Sequence, residues 1–241
     1  MESRIILDIL SQPDDTTCGP TCLHAVYRYY GDDISLKQVV SEVHPLAEGG
    51  TLEVLLACHA LRRGYRATIY TYNLQVFDPT WFEMPDIDLS DKLRRQAKVK
   101  TSKKLKIATR AYLEFLALGG KLRFKDLTTA LLRKYLKQHK PILCGLSATY
   151  LYHCAREFGP TPPYCDDIRG VSTGHFVILC GYDLNNRHVF VADPLQHPSG
   201  KGQLYEVDID RLVGSILLGI LTYDANLLII EPQPSSDKEF Q

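Results

Sequence analysis

The sequence predicts one α+β domain in two lobes, with helices on one side, an antiparallel sheet on the other and a cleft between them. Apolar residues at helical spacing recur through the first half of the chain, whereas apolar strands separated by turns make up the last third. With 241 residues, 45% of them hydrophobic, the chain is long enough to bury a core without stabilising disulfides. We expect residues 1–232 to form a single domain with a helical insert at about 78–140, and residues 233–241 to be a disordered tail.

Overall composition argues against several kinds of partner. Lysine plus arginine and aspartate plus glutamate balance at 28 each, so the overall charge indicates neither nucleic acid nor an anionic membrane. The seven cysteines have no zinc-finger or redox spacing, which is typical of reduced thiols in a cytoplasm. The first residues do not resemble a secretory signal, and no apolar span reaches the roughly 20 residues that a membrane helix needs. We therefore expect a cytoplasmic protein, of an oligomeric state that the sequence leaves open.

The stretch Gln12–Leu23 places a cysteine directly before a predicted helix start. Pro20 suits the first turn of a helix because its missing N–H costs nothing there, and Gly31 is a typical stop. A helix N-terminus stabilises an anion, which suits a nucleophilic thiolate at Cys18. The alternative interpretation is a small buried residue beside a helix end. We interpret Cys22, one turn further on, as a core residue, with a regulatory disulfide to Cys18 as the less favoured alternative.

Capping residues and alternation predict the neighbouring elements. These are a strand over residues 1–10, a helix from Ser35 to Val43, a helix from Thr51 to Gly64 and a strand from Tyr65 to Tyr72.

Residues 78–140 have the composition of an inserted helical subdomain. Three helices are predicted, two of them capped by Ser90 and Asp126, with a helix from Leu105 to Leu118 between these two. Eight of the fifteen residues from Lys92 to Lys106 are lysine or arginine. We interpret this run as a solvated helix face, because no aromatic residues are interleaved to stack on bases; a phosphate or acidic-peptide site is the alternative. The insert is expected to shape one wall or lid of the cleft.

The remainder of the chain predicts most of the sheet. Pro141–Leu146 is a short apolar run typical of a central strand. Gly174–Tyr182 and Arg187–Ala192 are apolar and are joined by a turn-forming cluster, so they predict an antiparallel hairpin. His175 begins the first of these strands and Asp193 follows the second, so pairing brings both side chains to the same end of the hairpin. Further strands are predicted at residues 203–207 and 217–230.

An irregular loop over residues 150–170 is predicted to face the substrate. Its potential metal ligands are His153, Cys154, Cys165, Asp166 and Asp167. No two of these have a recognised ligand spacing, so we expect no metal site, and we expect no other cofactor. The tyrosines that could line a peptide cleft are Tyr150, Tyr152 and Tyr164. We interpret His24 and His59 as structural.

Four residues offer the parts of a site built on a cysteine nucleophile. Such a site needs a base, a group that orients the base, and donors for the oxyanion. Cys18 would attack, His175 would form the ion pair and protonate the leaving group, and Asp193 would hold the imidazole. The side-chain amide of Gln12, beside the Cys18 N–H, would stabilise the oxyanion. Taken singly, His175 is also typical of a core histidine, Asp193 of a plain turn and Gln12 of a surface glutamine. The prediction therefore depends on their joint occurrence.

The same motifs resemble those of a known family. Gln12-x5-Cys18-Gly-Pro-Thr, Gly174-His175-Phe-Val-Ile and Val191-Ala-Asp193-Pro look like motifs of the papain-like cysteine peptidases of family 39, the bacteriocin-processing peptidases, and their stand-alone relatives. The likeness covers about two thirds of the chain. It implies a bacterial protein of papain-like fold, with the N-terminal nucleophile helix packed on an antiparallel sheet. It also implies a nucleophile at Cys18, a base at His175, an orienting acid at Asp193 and an oxyanion donor at Gln12.

The resemblance does not supply a substrate. Founding members of that family are fused to an export transporter and cut leader peptides after a double glycine, whereas we expect no membrane segment here. The predicted function is a thiol-dependent hydrolase, a peptidase or amidase, that forms an acyl-enzyme and passes the acyl group to water. One alternative is an acyltransferase or transglutaminase-like enzyme that passes it to an amine, and another is a non-catalytic peptide-binding module. The expected partner is a peptide or amide, with no nucleic acid and no membrane.

Overall fold

The computed structural model describes residues 2–43, 45–46, 49–83, 87–159, 163–195 and 202–234. In chain order the strands are β1 (Glu2–Arg4), β2 (Arg66–Thr71), β3 (Lys121–Arg123), β4 (Ile142–Ser147), β5 (Glu157–Phe158), β6 (Tyr164–Cys165), β7 (Gly174–Asp183), β8 (His188–Ala192), β9 (Leu204–Asp208) and β10 (Asn226–Glu231). The helices are α1 (Cys18–Tyr29), α2 (Leu36–Glu42), α3 (Glu53–Arg62), α4 (Leu89–Val99), α5 (Lys103–Ala117), α6 (Thr129–Leu136), α7 (Ala148–Tyr152) and α8 (Ile209–Leu218). Of the predicted tail, residues 235–241 lie outside the described residues.

Eight strands form one sheet in the order β3, β2, β10, β4, β7, β8, β9, with β1 also paired to β7. The β2–β3 pair is parallel and the other pairs are antiparallel. Every residue of β4 is buried, which confirms the central strand predicted from its apolar run. Together with the helices, this antiparallel-rich sheet confirms the predicted α+β class.

Helix α1 packs directly against β7, the strand that begins at Gly174. The close approach depends on Gly19, because a Cβ at this position would lie 2.8 Å from Thr51 Cγ2 and 3.1 Å from the Phe176 ring. The nucleophile helix of the sequence prediction therefore lies on the sheet, at the strand that carries His175.

Helix α1 begins two residues earlier than predicted. Cys18 is its first residue, so Pro20 occupies the third position rather than the start. Proline is still accommodated there, because the first four N–H groups of a helix have no intrahelical acceptor. The predicted stop is confirmed: α1 ends at Tyr29, and Gly31 has the left-handed φ of +80° that favours glycine after a helix.

The prediction of a strand over residues 217–230 is wrong in its first half. Helix α8 continues to Leu218 and a 3-10 turn covers Gly219–Thr222, so the strand β10 starts only at Asn226. The Asp208 carboxylate caps α8 by accepting the N–H groups of Asp210 at 2.9 Å and Arg211 at 3.1 Å. A continuous apolar run fits a buried helix as well as a strand, and this cap starts the helix.

Smaller corrections apply at other element boundaries. The N-terminal strand covers only Glu2–Arg4, and the N-cap of α3 is Leu52 rather than Thr51. The segment predicted as an irregular loop over 150–170 includes the end of α7 and the short β5–β6 hairpin. The Ser35 cap of α2 is confirmed, since its hydroxyl accepts the Gln38 N–H at 3.2 Å.

The predicted insert is helical but also extends the sheet. Its helices α4 and α6 have N-caps at Asp88 and Thr128, not at Ser90 and Asp126, and β3 between α5 and α6 adds an edge strand beside β2. The sequence did not predict this edge strand, because β3 has only three residues. Helix α5 packs on α3, and most of the basic run is exposed, as predicted for a solvated face. Within the described residues, no helix combines the length and apolarity needed to cross a bilayer.

Candidate active site

A polar turn directly before α1 places Cys18 at the start of this helix. The Asp14 carboxylate accepts the Thr16 N–H at 2.8 Å and the Thr16 hydroxyl at 2.7 Å, and the Asp14 N–H donates to the Thr17 hydroxyl at 3.2 Å. This turn ends at Thr17, the N-cap, so that Cys18 occupies the first helical position. Its N–H is one of the helix donors that lack an intrahelical acceptor.

The β7–β8 hairpin brings the two predicted partners together. Its register pairs Ile178 with Ala192, so His175 and Asp193 extend beyond it at the same end, as the sequence predicts. His175 Nε2 lies 2.8 Å from Asp193 Oδ1. With Nε2 engaged by the carboxylate, Nδ1 is the ring nitrogen left to face another group.

Cys18 and His175 form a buried pair. The exposed fraction is 8% for Cys18 and 6% for His175. Burial alone would lower the pKa of His175, but the charge and hydrogen bond of Cys18 and those of Asp193 outweigh it and raise this pKa to about 10. The imidazole is therefore held as imidazolium at neutral pH beside the Cys18 sulfur.

Asp193 is fully buried and receives four hydrogen bonds. Oδ1 accepts from His175 and from the Leu195 N–H at 2.9 Å. Oδ2 accepts the hydroxyl of Tyr152 at 2.7 Å and that of Tyr205 at 2.5 Å. Burial raises the pKa of Asp193, but the His175 interaction and the two tyrosine hydroxyls overcome this effect and hold the pKa below its ordinary value. The carboxylate stays ionised where a lone buried carboxyl would be protonated.

The two tyrosines come from two different elements, α7 and β9. Tyr152 ends α7, which Ser147 caps by accepting the Tyr150 N–H at 3.3 Å. Tyr205 lies on β9 opposite Val191 of β8. From the sequence, Tyr152 was expected only to line the cleft, and Tyr205 was not singled out. Alternation along β9 buries Tyr205 and Val207, and it is the signal that could have found Tyr205.

Gln12 lies beside Cys18, His175 and Asp193, but its contacts do not establish a catalytic role. Its backbone N–H donates to Pro194 O at 3.0 Å, which ties the segment before α1 to the residue after Asp193. Its side-chain Nε2 donates to Asp14 O at 2.8 Å, leaving a second N–H on the same nitrogen. The oxyanion role of Gln12 therefore remains a prediction.

Cys18 lines a cleft of about 140 Å³. Its walls come from the turn before α1, the segment before α3, the start of β7, the segment before β10, and α5 of the insert. The residues that line it include Asp15, Lys104, Gly174, Thr222 and Asp224. Lys104 brings the basic insert to the cleft, which agrees with the expectation that the insert shapes one wall.

The other singled-out residues have structural surroundings. The Cys22 thiol is fully buried and donates to Phe176 O at 3.3 Å, and all seven cysteines are free thiols. His59 bridges the Tyr27 hydroxyl at 2.8 Å and the Glu42 carboxylate at 2.9 Å. Tyr150 and Tyr164 are exposed, and neither lines the Cys18 cleft.

Comparison with known proteins gives the family. Residues 6–211 match the model of the Peptidase_C39 like family. The chain belongs to this family. Members of this family are cysteine peptidase-like enzymes, so the protein is one too. This confirms the resemblance seen in its motifs. No curated protein matches the chain closely enough to add to this comparison.

Solved structures similar to this chain include a C39-like peptidase. The C39-like chain is similar over 97% of its length to 99% of a putative C39-like peptidase from Bacillus anthracis, at 13% identity and a TM-score of 0.54. It also matches a double-glycine-motif protease from an AMS/PCAT transporter, crystallised with a leader peptide, at 14% identity over 96% and 95% of the two chains and a TM-score of 0.47. Xylellain, a cysteine protease from Xylella fastidiosa, matches at 12% identity over 97% and 86%, with a TM-score of 0.47. The Bacillus anthracis structure, whose TM-score is above 0.5, shows the fold that the two chains share.

Proposed function

We propose that the protein is a thiol-dependent peptidase or amidase that forms an acyl-enzyme at Cys18. The observation that carries this proposal is the buried series of side chains from the Cys18 sulfur through His175 to Asp193, with the Nε2–Oδ1 contact at 2.8 Å. A hydrolytic site needs these three chemical roles in this order.

In the proposed acylation step, the Cys18 thiolate attacks the carbonyl carbon of a peptide or amide bond. The negative charge that develops on the carbonyl oxygen is stabilised by the Cys18 N–H and by the free N–H of the Gln12 amide. The carbon–nitrogen bond then breaks, and His175 gives its proton to the departing amine. A thioester at Cys18 and a neutral imidazole remain.

Deacylation regenerates the starting pair. Neutral His175 takes a proton from water, and the resulting hydroxide adds to the thioester carbonyl. The carbon–sulfur bond breaks, which releases the carboxylic acid and restores the thiolate beside the imidazolium. Throughout both steps Asp193 keeps the ring in place through Nε2 and stabilises its charged form.

The test is to incubate the protein with a peptide library, quench with acid and weigh the intact chain. We expect an acyl adduct on Cys18 and released peptide fragments, both lost in Cys18→Ala and His175→Ala. Cys154→Ala removes an exposed thiol and is the matched control, with adduct and fragments unchanged. Adding a primary amine separates the acyl-transfer alternative, because an amide product in place of the free acid would identify transfer. An adduct that persists in Cys18→Ala would overturn the assignment.

A further inference from the structure

Two buried carboxyl groups near the cleft have no part in the proposed reaction. Glu53 is the first residue of α3 and has no exposed surface. Neither of its carboxylate oxygens has a hydrogen bond of normal geometry among the described residues, although the Gly145 N–H acts on the carboxylate and lowers its pKa. Asp224 immediately precedes Ala225 and β10, is 6% exposed, and its Oδ1 also has no partner in the described part of the chain. Buried polar atoms are nearly always paired, so unpaired ones call for an explanation.

Asp224 lines the same cleft as Cys18. A Cβ added at Gly174 would lie 2.6 Å from Thr222 Oγ1 and 3.3 Å from Asp224 Oδ2, so the glycine keeps open the space in front of this carboxylate oxygen. Because Gly174 directly precedes His175, the open space lies beside the reacting groups. A substrate group next to the scissile bond can therefore reach Asp224 Oδ2.

The charges around Asp224 leave it without a close cation. The titratable and charged groups facing it are Glu53 from α3, Lys104 and Tyr112 from α5, Asp15 from the turn before α1, and Cys18. Lys104 favours the ionised form of Asp224, but its Nζ lies over the Tyr223 ring, 5.2 Å from the ring centroid. The ion pairs within 4.0 Å among the described residues do not include one between Lys104 and Asp224.

We propose that Asp224, with Glu53 behind it, forms an acidic subsite of the Cys18 cleft that binds an ammonium or guanidinium group of the substrate. The inference rests on the proposed function, because the subsite is defined by its position beside the acylated thiol. A cation there supplies the charge partner that the buried carboxyl lacks, and Thr222 adds a hydroxyl acceptor at the same place.

Binding of a cation at this subsite should strengthen as the pH rises. Burial raises the pKa of Asp224 to about 7, although Lys104, the Glu53 N–H and Thr222 oppose the effect. Burial and the neighbouring Asp224 raise the pKa of Glu53 well above its ordinary value although the Gly145 N–H opposes them, which favours the protonated form of Glu53. Below about pH 7 the subsite is therefore neutral, and above it Asp224 carries the negative charge that attracts a cation.

Two alkylating probes test this without knowledge of the natural substrate. N-(2-aminoethyl)chloroacetamide carries an ammonium group, and N-(2-hydroxyethyl)chloroacetamide is its neutral analogue of similar size. The quantity measured is the rate constant for alkylation of Cys18 by the ammonium probe divided by the rate constant for the neutral probe. We expect the ratio to rise through about pH 7 in the natural protein, and to fall about tenfold at pH 8 in Asp224→Asn, the loss of one charge-assisted hydrogen bond.

Asp15→Asn is the matched control, because Asp15 is an exposed carboxylate in the same cleft. We expect it to leave the ratio within about twofold, since exposed charges are screened by water and salt. Lys104→Gln should raise the ratio and keeps the test available if Asp224→Asn does not fold. A ratio that does not change with pH and is the same in all variants would overturn the proposal. If the subsite is refuted in this way but the neutral probe still alkylates Cys18 rapidly, the proposed function stands. If the probes react as fast with Cys18→Ala or His175→Ala as with the natural protein, the proposed function itself is contradicted.

The cation could belong to the substrate N-terminus or to a lysine or arginine side chain. Tripeptide chloromethyl ketones distinguish these sources when one has a free α-amine and another has an acetylated N-terminus and a lysine. Faster reaction of either than of an acetylated neutral tripeptide supports the subsite and identifies the source. Equal rates for all three would contradict it.

Discussion

Replacing Tyr205 with phenylalanine should destabilise the folded protein and disturb His175 through Asp193. The Tyr205 hydroxyl is one of two that bond Asp193 Oδ2, and the carboxylate is fully buried, so water cannot take the place of the lost donor. A hydrogen bond to a charged group contributes about 1.5–3 kcal/mol. We expect the free energy of unfolding to fall by that amount, and the pKa of Asp193 to rise by about one to two.

The structural and chemical effects can be measured separately. Denaturant unfolding at pH 7 gives the loss of stability. The N–H proton that His175 shares with Asp193 can be followed by NMR, and we expect its signal to disappear at a higher pH on acidification in Tyr205→Phe than in the natural protein. The acid limb of kcat/KM should move in the same direction, because protonated Asp193 no longer stabilises the imidazolium.

Tyr150→Phe is the matched control for this prediction. Tyr150 lies on the same helix as Tyr152, but it is 40% exposed and does not contact Asp193. Tyr152→Phe should resemble Tyr205→Phe, since both hydroxyls bond the same oxygen. If Tyr205→Phe behaves like Tyr150→Phe in stability and in the NMR signal, the four-bond description of Asp193 is wrong.

Three further predictions concern charge and the oxyanion. Because the pKa of His175 is raised to about 10, kcat/KM should fall as the pH rises through about 10, and Asp193→Asn should move this limb to lower pH in a pH–rate profile. The pKa of Asp224 rises from 3.8 to about 7, so folding stability should decline by about 4 kcal/mol at most as the pH rises across that interval, and chemical denaturation should find the decline reduced in Asp224→Asn. Gln12→Ala should lower kcat about 100-fold with little change in KM, whereas an equal effect on binding of a substrate analogue would argue against an oxyanion role.

Local patterns predicted the parts of the site that depend on neighbouring residues. The Cys18-Gly-Pro sequence marks a helix start, and the turn between residues 182 and 187 determines which residues of the hairpin meet. His175 and Asp193 could therefore be placed together before the structure was known, because hairpin pairing follows from the turn. The position of Cys18 opposite them came from the family resemblance, since no local pattern reports the packing of α1 on β7.

The remaining parts depend on contacts between distant segments. Tyr205 reaches Asp193 only through the register of β9 on β8, and Asp224 meets Glu53 across more than 150 residues of chain. The alternation along β9 marks Tyr205 as buried but does not show its partner, and the contact of Asp224 with Glu53 leaves no periodic signal in the sequence. The apolar run near residue 217 was assigned to a strand for a related reason, because burial on all sides removes the polar positions that distinguish a helix from a strand.

The most direct test of the Cys18–His175 pair is the order in which the seven cysteines are alkylated. Exposure alone favours Cys154 and Cys165, because Cys18 is 8% exposed. With a low dose of iodoacetamide at pH 7, followed by peptide mapping, we predict that Cys18 is modified first and that His175→Asn slows this modification at least tenfold while leaving Cys154 and Cys165 unchanged. Modification of Cys154 and Cys165 first, with Cys18 unreactive and insensitive to His175, would contradict the assignment of Cys18 as the nucleophile.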